Sequence, residues 1–165
     1  MPKQSNPKQS KPKAPRVSGY GRKPYLKTLF RFLCFRHSKD VALSVCDYLH
    51  GLEETLIRSG RYDFQNPNIA ILKDIKPDDV ESWLNMLAYG TTNPSENAAP
   101  IHARASTLYA AKRNLSYYMV TKNEPWSHQS KTGNPTKSSS VNNLIKKVRK
   151  KLCYIKTWLS IRLFN

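Results

Sequence analysis

The stretch KPDDVESWLNMLAYG, residues 76–90, carries a start, a stripe and a stop for one helix. Pro77 suits the first turn, where its missing N–H costs nothing. Asp78 and Asp79 place negative charge at the positive end of the helix dipole. Val80, Trp83, Leu84 and Leu87 recur at helical spacing and predict a buried stripe. Gly90 supplies the stop. The same period recurs on both sides of this stretch, and it predicts an all-α chain.

Upstream, Leu26, Leu29, Phe30 and Leu33 fall at i, i+3, i+4 and i+7. Ser38 stands where a second helix needs its N-cap. Val41, Val45, Leu49 and Leu52 extend that helix towards Arg58, with Gly60 as its stop. Downstream, a helix over about 103–120 uses Leu108, Ala111, Leu115 and Tyr118 or Met119 as its inner face. A last helix follows Gly133-Asn134-Pro135-Thr136, with Val141, Leu144, Ile145 and Val148 inward. Residues 68–75 form the one short candidate for a strand. The expectation is a small helical bundle of four to five helices, residues 25–151. A disordered basic arm precedes it at 1–24, where Pro2, Pro7, Pro12, Pro15 and Pro24 break helices. An apolar tail follows at 152–165.

Charge is unevenly spread. The 165 residues carry 28 Lys and Arg against 11 Asp and Glu, a net charge of +17. Residues 1–39 hold 11 basic and no acidic side chains; residues 40–124 hold 8 and 11; residues 125–165 hold 9 and none. Such a field attracts polyanions and weakens as salt rises. Nucleic acid is the leading partner and an anionic membrane surface the second. No apolar run reaches the roughly 20 residues of a membrane span, and no apolar segment follows the basic N-terminus as in a signal peptide. Three cysteines cannot all pair, so a disulfide framework is not expected.

Several patterns suggest chemistry and yield to simpler readings. Cys34 and His37, with Cys46 and His50, have zinc-like spacing on two helices. Cysteine is also a common core residue, so the expectation is no metal. Asp78, Asp79 and Glu81 suit a helix first turn better than a pair of catalytic acids. Thr132–Ser138 ends in Lys137-Ser138 but lacks the second glycine and the preceding strand of a nucleotide loop. It still offers backbone N–H groups at a helix start, where a DNA phosphate is held. Asn114-Leu115-Ser116 is a sequon by letter alone. No nucleophile pairs with a base, so no active site, cofactor or small-molecule substrate is expected.

Basic helices with interleaved aromatics are the informative signal. Arg104, Thr107, Lys112 and Arg113 reach phosphates or base edges from one helix. A solvated helix face explains any one of them equally well.

The motifs resemble a known family. LKDIKPDDVESWL at 72–84 is followed by LAYGT at 87–91. Next come Arg104, Thr107-Leu108, Lys112-Arg113 and SYYM at 116–119. Trp126 and GNPTKS at 133–138 follow, and Val141, Leu144, Ile145, Val148 and Lys150-Lys151 complete the order. In this order they resemble the N-terminal core-binding domain of tyrosine-recombinase-like proteins, closest to those of eukaryotic mobile elements such as cryptons. Tyr25, Leu29 and Phe32-Leu33 are similar to that domain's first helix. The resemblance implies a helical clamp on double-stranded DNA. It implies groove contact from Arg104, Thr107, Lys112 and Arg113, and phosphate contacts from Lys137, Ser138, Lys146 and Lys147. The family's catalytic half would lie beyond this chain, so binding without strand cleavage is expected, in the nucleus if the source is eukaryotic. The apolar tail departs from the family pattern. It suggests instead a subunit that pairs with a full recombinase; a general RNA-binding protein is the other alternative.

Overall fold

The computed structural model describes residues 24–52, 54–59, 62–63 and 65–163, with backbone alone for 54, 58 and 155–163. The expected arm falls outside the described residues, apart from Pro24. Six helices carry the fold. They are α1 (Pro24–Arg36), α2 (Lys39–Gly51), α3 (Glu54–Ser59), α4 (Pro77–Tyr89), α5 (Ala105–Ser116) and α6 (Ser139–Leu163). Single 3-10 turns at Ala70–Leu72 and Pro135–Lys137 lead into α4 and α6. Among the described residues there is no strand, only an isolated antiparallel bridge between Ser127 and Thr132. Residues 68–75 form the first 3-10 turn and its flanks. No described helix is long and apolar enough to cross a membrane.

The helix boundaries follow from local chemistry. Ser38 caps α2 by accepting from the Val41 N–H at 3.4 Å. Asp79 Oδ2 accepts from the Lys76 N–H at 2.8 Å, closing the first turn of α4 behind Pro77. Gly90 ends α4 at φ 75°, and a side chain there would strike the His102 ring. The second helix is shorter than its period suggests. It stops at Gly51, a weak helix former, and Leu52 turns extended. The chain then restarts as α3, whose Ile57 enters the core.

One core joins the helices. α1 packs on α2 and α5, and α4 packs on α5 and α6. Leu29, Phe32, Leu33, Val45, Leu84, Leu108 and Leu115 are fully buried. The Phe32 and Trp83 rings meet edge to face at 5.3 Å. The stripes of α1, α4 and α5 lie largely as their periods predict. That of α2 departs at one position: Val41 faces solvent, while Val45 and Leu49 are buried as expected and Ala42 and Cys46 join them inside. Arg36 fastens the end of α1 to the start of α4, donating to the Asp74 carbonyl at 3.0 Å and pairing with Asp79 at 3.3 Å.

Candidate functional site

α5 and α6 lie side by side with the Pro135–Lys137 turn between their ends. Asn142, in the first turns of α6, holds this corner together. Its Oδ1 accepts from Lys112 Nζ, and its Nδ2 donates to the Lys137 carbonyl at 3.2 Å. Lys112 also lies over the Tyr109 ring at 5.7 Å. Its ammonium titrates below the ordinary lysine value because it is half-buried and because Lys137 stands near it. Two cations therefore converge with no acid paired to either among the described ion pairs.

The surroundings are equally one-sided. From residue 97 to the end the chain has 13 Lys and Arg and a single acid, Glu124. One turn along α6 from Asn142 stands Lys146, followed by Lys147, Arg149 and Lys150, all exposed. Val141 and Val148 face inward, so the lysines are left on the outer arc. A shallow groove of about 540 Å³ runs along this arc between Lys146, Arg149, Lys150 and the exposed Tyr154. Lys151 departs from it. It bends back to the carbonyls of Glu96 and Ala98 and lies over Tyr89, a structural role.

The four residues expected to reach DNA from one helix divide between its flanks. Lys112 points to α6. Asn114 on the other flank bonds Thr28 of α1 at 3.1 Å, and Thr107, two turns before it, shares that flank. Arg104 is the N-cap residue of α5, with no capping bond from its side chain. Arg113 is exposed between the flanks. Lys137, Lys146 and Lys147 join Lys112 on the α6 side. Thr107 does not.

Ser138 is a correction. It is completely buried, its Oγ accepts from the Val141 N–H at 3.2 Å, and it lies 3.1 Å from the Ser140 hydroxyl. A hydroxyl so enclosed cannot meet a phosphate; it caps α6. The whole Gly133–Ser138 segment is a knot of internal bonds. Asn134 is completely buried. Its Nδ2 donates to Ser116 Oγ at 2.8 Å and to the Lys122 carbonyl at 3.2 Å; its Oδ1 accepts from the Thr136 N–H and hydroxyl. Gly133, at φ 102°, lets Pro125 pass so close that a Cβ would lie 2.2 Å from the Pro125 carbonyl oxygen. This segment fixes where Lys137 emerges and where α6 begins.

Cys34 and Cys46 are packing residues. Cys46 lies in the core, where burial and the neighbouring Cys34 push its thiol up to about 12. Burial also raises Cys34, the smaller effect of Lys39 opposing it. No group of metal-binding side chains forms among the described residues.

The site residues that sequence reasoning missed are Asn142 and Tyr109. Asn142 stands four residues before Lys146, so its place on the same strip was readable; its partner on α5 was not. No family model, no curated protein and no solved structure matches the chain, so the likeness to recombinase core-binding domains rests on the quoted motifs alone.

Proposed function

We propose that this chain binds double-stranded DNA through the surface formed by α5, the Pro135–Lys137 turn and α6, and does not itself cut a strand. The observation that carries the reading is Lys112: a half-buried ammonium, held by Asn142, beside Lys137 and with no acid paired to it among the described residues. Bringing two cations together costs energy, and an anion delivered to the spot offsets that cost. Lys146, Lys147 and Lys150 extend the positive charge along α6, as the spaced phosphates of a duplex require. Arg113 lies at the border. The order of motifs, which resembles that of recombinase core-binding domains, favours the same polymer.

The contacts in this reading are to phosphate rather than to base edges. Affinity is then mainly electrostatic, on the order of micromolar or weaker for random sequence. Fluorescence anisotropy with a blunt duplex of twenty base pairs, across a range of salt, tests it. The logarithm of the affinity falls linearly with the logarithm of salt, and each of Lys112→Ala, Lys137→Ala, Lys146→Ala and Lys147→Ala lowers the slope by about one. No binding in dilute buffer, or a slope unchanged in all four variants, overturns the reading.

A second reading has one observation behind it. α6 continues as a helix to Leu163, and Cys153 and Tyr154, just past Leu152, are exposed. An exposed stretch on a helix that runs on in this way suits a protein partner, such as a recombinase-like subunit. Sedimentation of the full chain and of a chain ending at residue 152 separates self-association or partner pairing from simple DNA binding.

A further inference from the structure

Two loops far apart in sequence build a cleft that the α5–α6 surface does not use. Lys73, Lys76 and Asp78 form one wall; Trp126, His128 and Lys131 form the other, around a volume of about 410 Å³. A second hollow of about 210 Å³ continues from it and shares Lys73, Ile75, Trp126 and Lys131. Trp126 is half-buried, and its backbone is pinned where Pro125 and Trp126 cross Gly133. The Asn134 N–H adds a bond to the Glu124 carbonyl at 3.2 Å. Lys131 adopts φ 54°, the left-handed region that side chains avoid. The Ser127 N–H to Thr132 carbonyl bond at 2.8 Å and the Ser130–Thr132 hydroxyl contact at 2.7 Å hold the turn around it. These bonds tie the rim, which carries a cation in the left-handed region.

We infer that this cleft takes one unpaired nucleotide, its base against Trp126 and its phosphate among Lys73, Lys76 and Lys131. An aromatic wall with cations on both sides is the arrangement that holds a single-stranded base, because stacking supplies affinity without reading sequence. Asp74 and Asp78 line the same cleft, so its charge is mixed. A bare phosphate gains little there, and the base has to contribute. The placement connects with the proposed DNA surface, on which this inference in part rests: His128 Nε2 lies 3.4 Å from Ser139 Oγ, at the first residue of α6. A strand leaving the end of a duplex on α6 passes this point before it enters the cleft. The chain then prefers a duplex with an unpaired end over a blunt one.

The first experiment compares a blunt duplex with the same duplex carrying three unpaired nucleotides. The wild-type chain binds the second about tenfold more tightly, and Trp126→Ala and Lys73→Ala/Lys131→Ala lose that preference while binding the blunt duplex as before. A wild type without the preference, or variants that keep it, overturns the inference. The second experiment titrates a trinucleotide, too short to pair, and reads tryptophan fluorescence. Saturable quenching that persists in Lys112→Ala/Lys146→Ala, vanishes in Lys73→Ala/Lys131→Ala and is not competed by equimolar inorganic phosphate supports the cleft, even if duplex binding itself fails. No quenching, or displacement by phosphate alone, overturns it. Circular dichroism of each variant confirms that the helices are retained.

Discussion

Asn142 accepts a hydrogen bond from Lys112 and donates one to the backbone of Lys137, so one amide on α6 sets both cations that converge beside α5. Asn142→Ala frees the Lys112 ammonium and removes the acceptor that steadies it. The expected loss of duplex affinity is about three- to tenfold at low salt, roughly 0.6–1.4 kcal/mol. Anisotropy against the blunt duplex measures it.

The depressed Lys112 titration gives a pH prediction. Below its lowered value, the folded chain bears the cost of a half-buried, crowded charge. Between that value and the ordinary lysine value of 10.5, the unfolded chain holds the proton more firmly than the folded one. Stability therefore gains with rising pH across that window. Lys112→Met lacks this term. The difference in Tm between wild type and Lys112→Met shifts in favour of wild type as pH climbs towards 10.5, as read by thermal melts across that rise.

Asn134 is the most heavily bonded buried side chain of the α6 approach. Asn134→Ala removes the bonds to Ser116, to the Lys122 carbonyl and to Thr136, the last of them fully buried. Destabilisation of about 3 kcal/mol follows, from the cost of stranding buried polar groups. The midpoint of urea unfolding reports it.

Gly133→Ala meets two obstacles, the positive φ and the Pro125 carbonyl. The loop has to shift, at a cost of about 2 kcal/mol or more. Because the same crossing pins Trp126, the variant also loses the tighter binding of the duplex with an unpaired end. Urea unfolding and the two-duplex comparison give the two readouts.

Asp79 serves both the α4 cap and the Arg36 ion pair. Asp79→Ala costs about 1–2 kcal/mol, mostly through the cap, because the ion pair is partly exposed and screened. Raising salt from 0.05 to 1 M recovers little of the loss in chemical denaturation, as capping predicts.

Ser38, Pro77 and Gly90 were legible because a cap, a first turn and a left-handed stop each depend on neighbouring residues only. The stripes of α1, α4 and α5 were legible for the same reason. In α2 Val41 read as core, yet it faces solvent and Ala42 and Cys46 join Val45 and Leu49 inside, a rotation of the helix that depends on which neighbour it meets. The GNPTKS segment looked like a phosphate-binding helix start. Its hydrogen bonds run to Ser116 and Lys122, partners that no local pattern names. The Trp126 cleft was invisible for a related reason: its walls are about fifty residues apart in the chain. The cationic side of α6 was readable from Lys146 and Lys147, whereas the division of Thr107 from Lys112 depended on which neighbour each flank of α5 meets.

α6 is one unbroken rod of 25 residues, about 37 Å from end to end. Lys146 and Lys147 sit in its first third, so whatever grasps the distal end acts on them through a stiff lever rather than a loose tether. Val141 and Val148 anchor the cationic arc in the core, so the distal end keeps a set heading relative to the bundle.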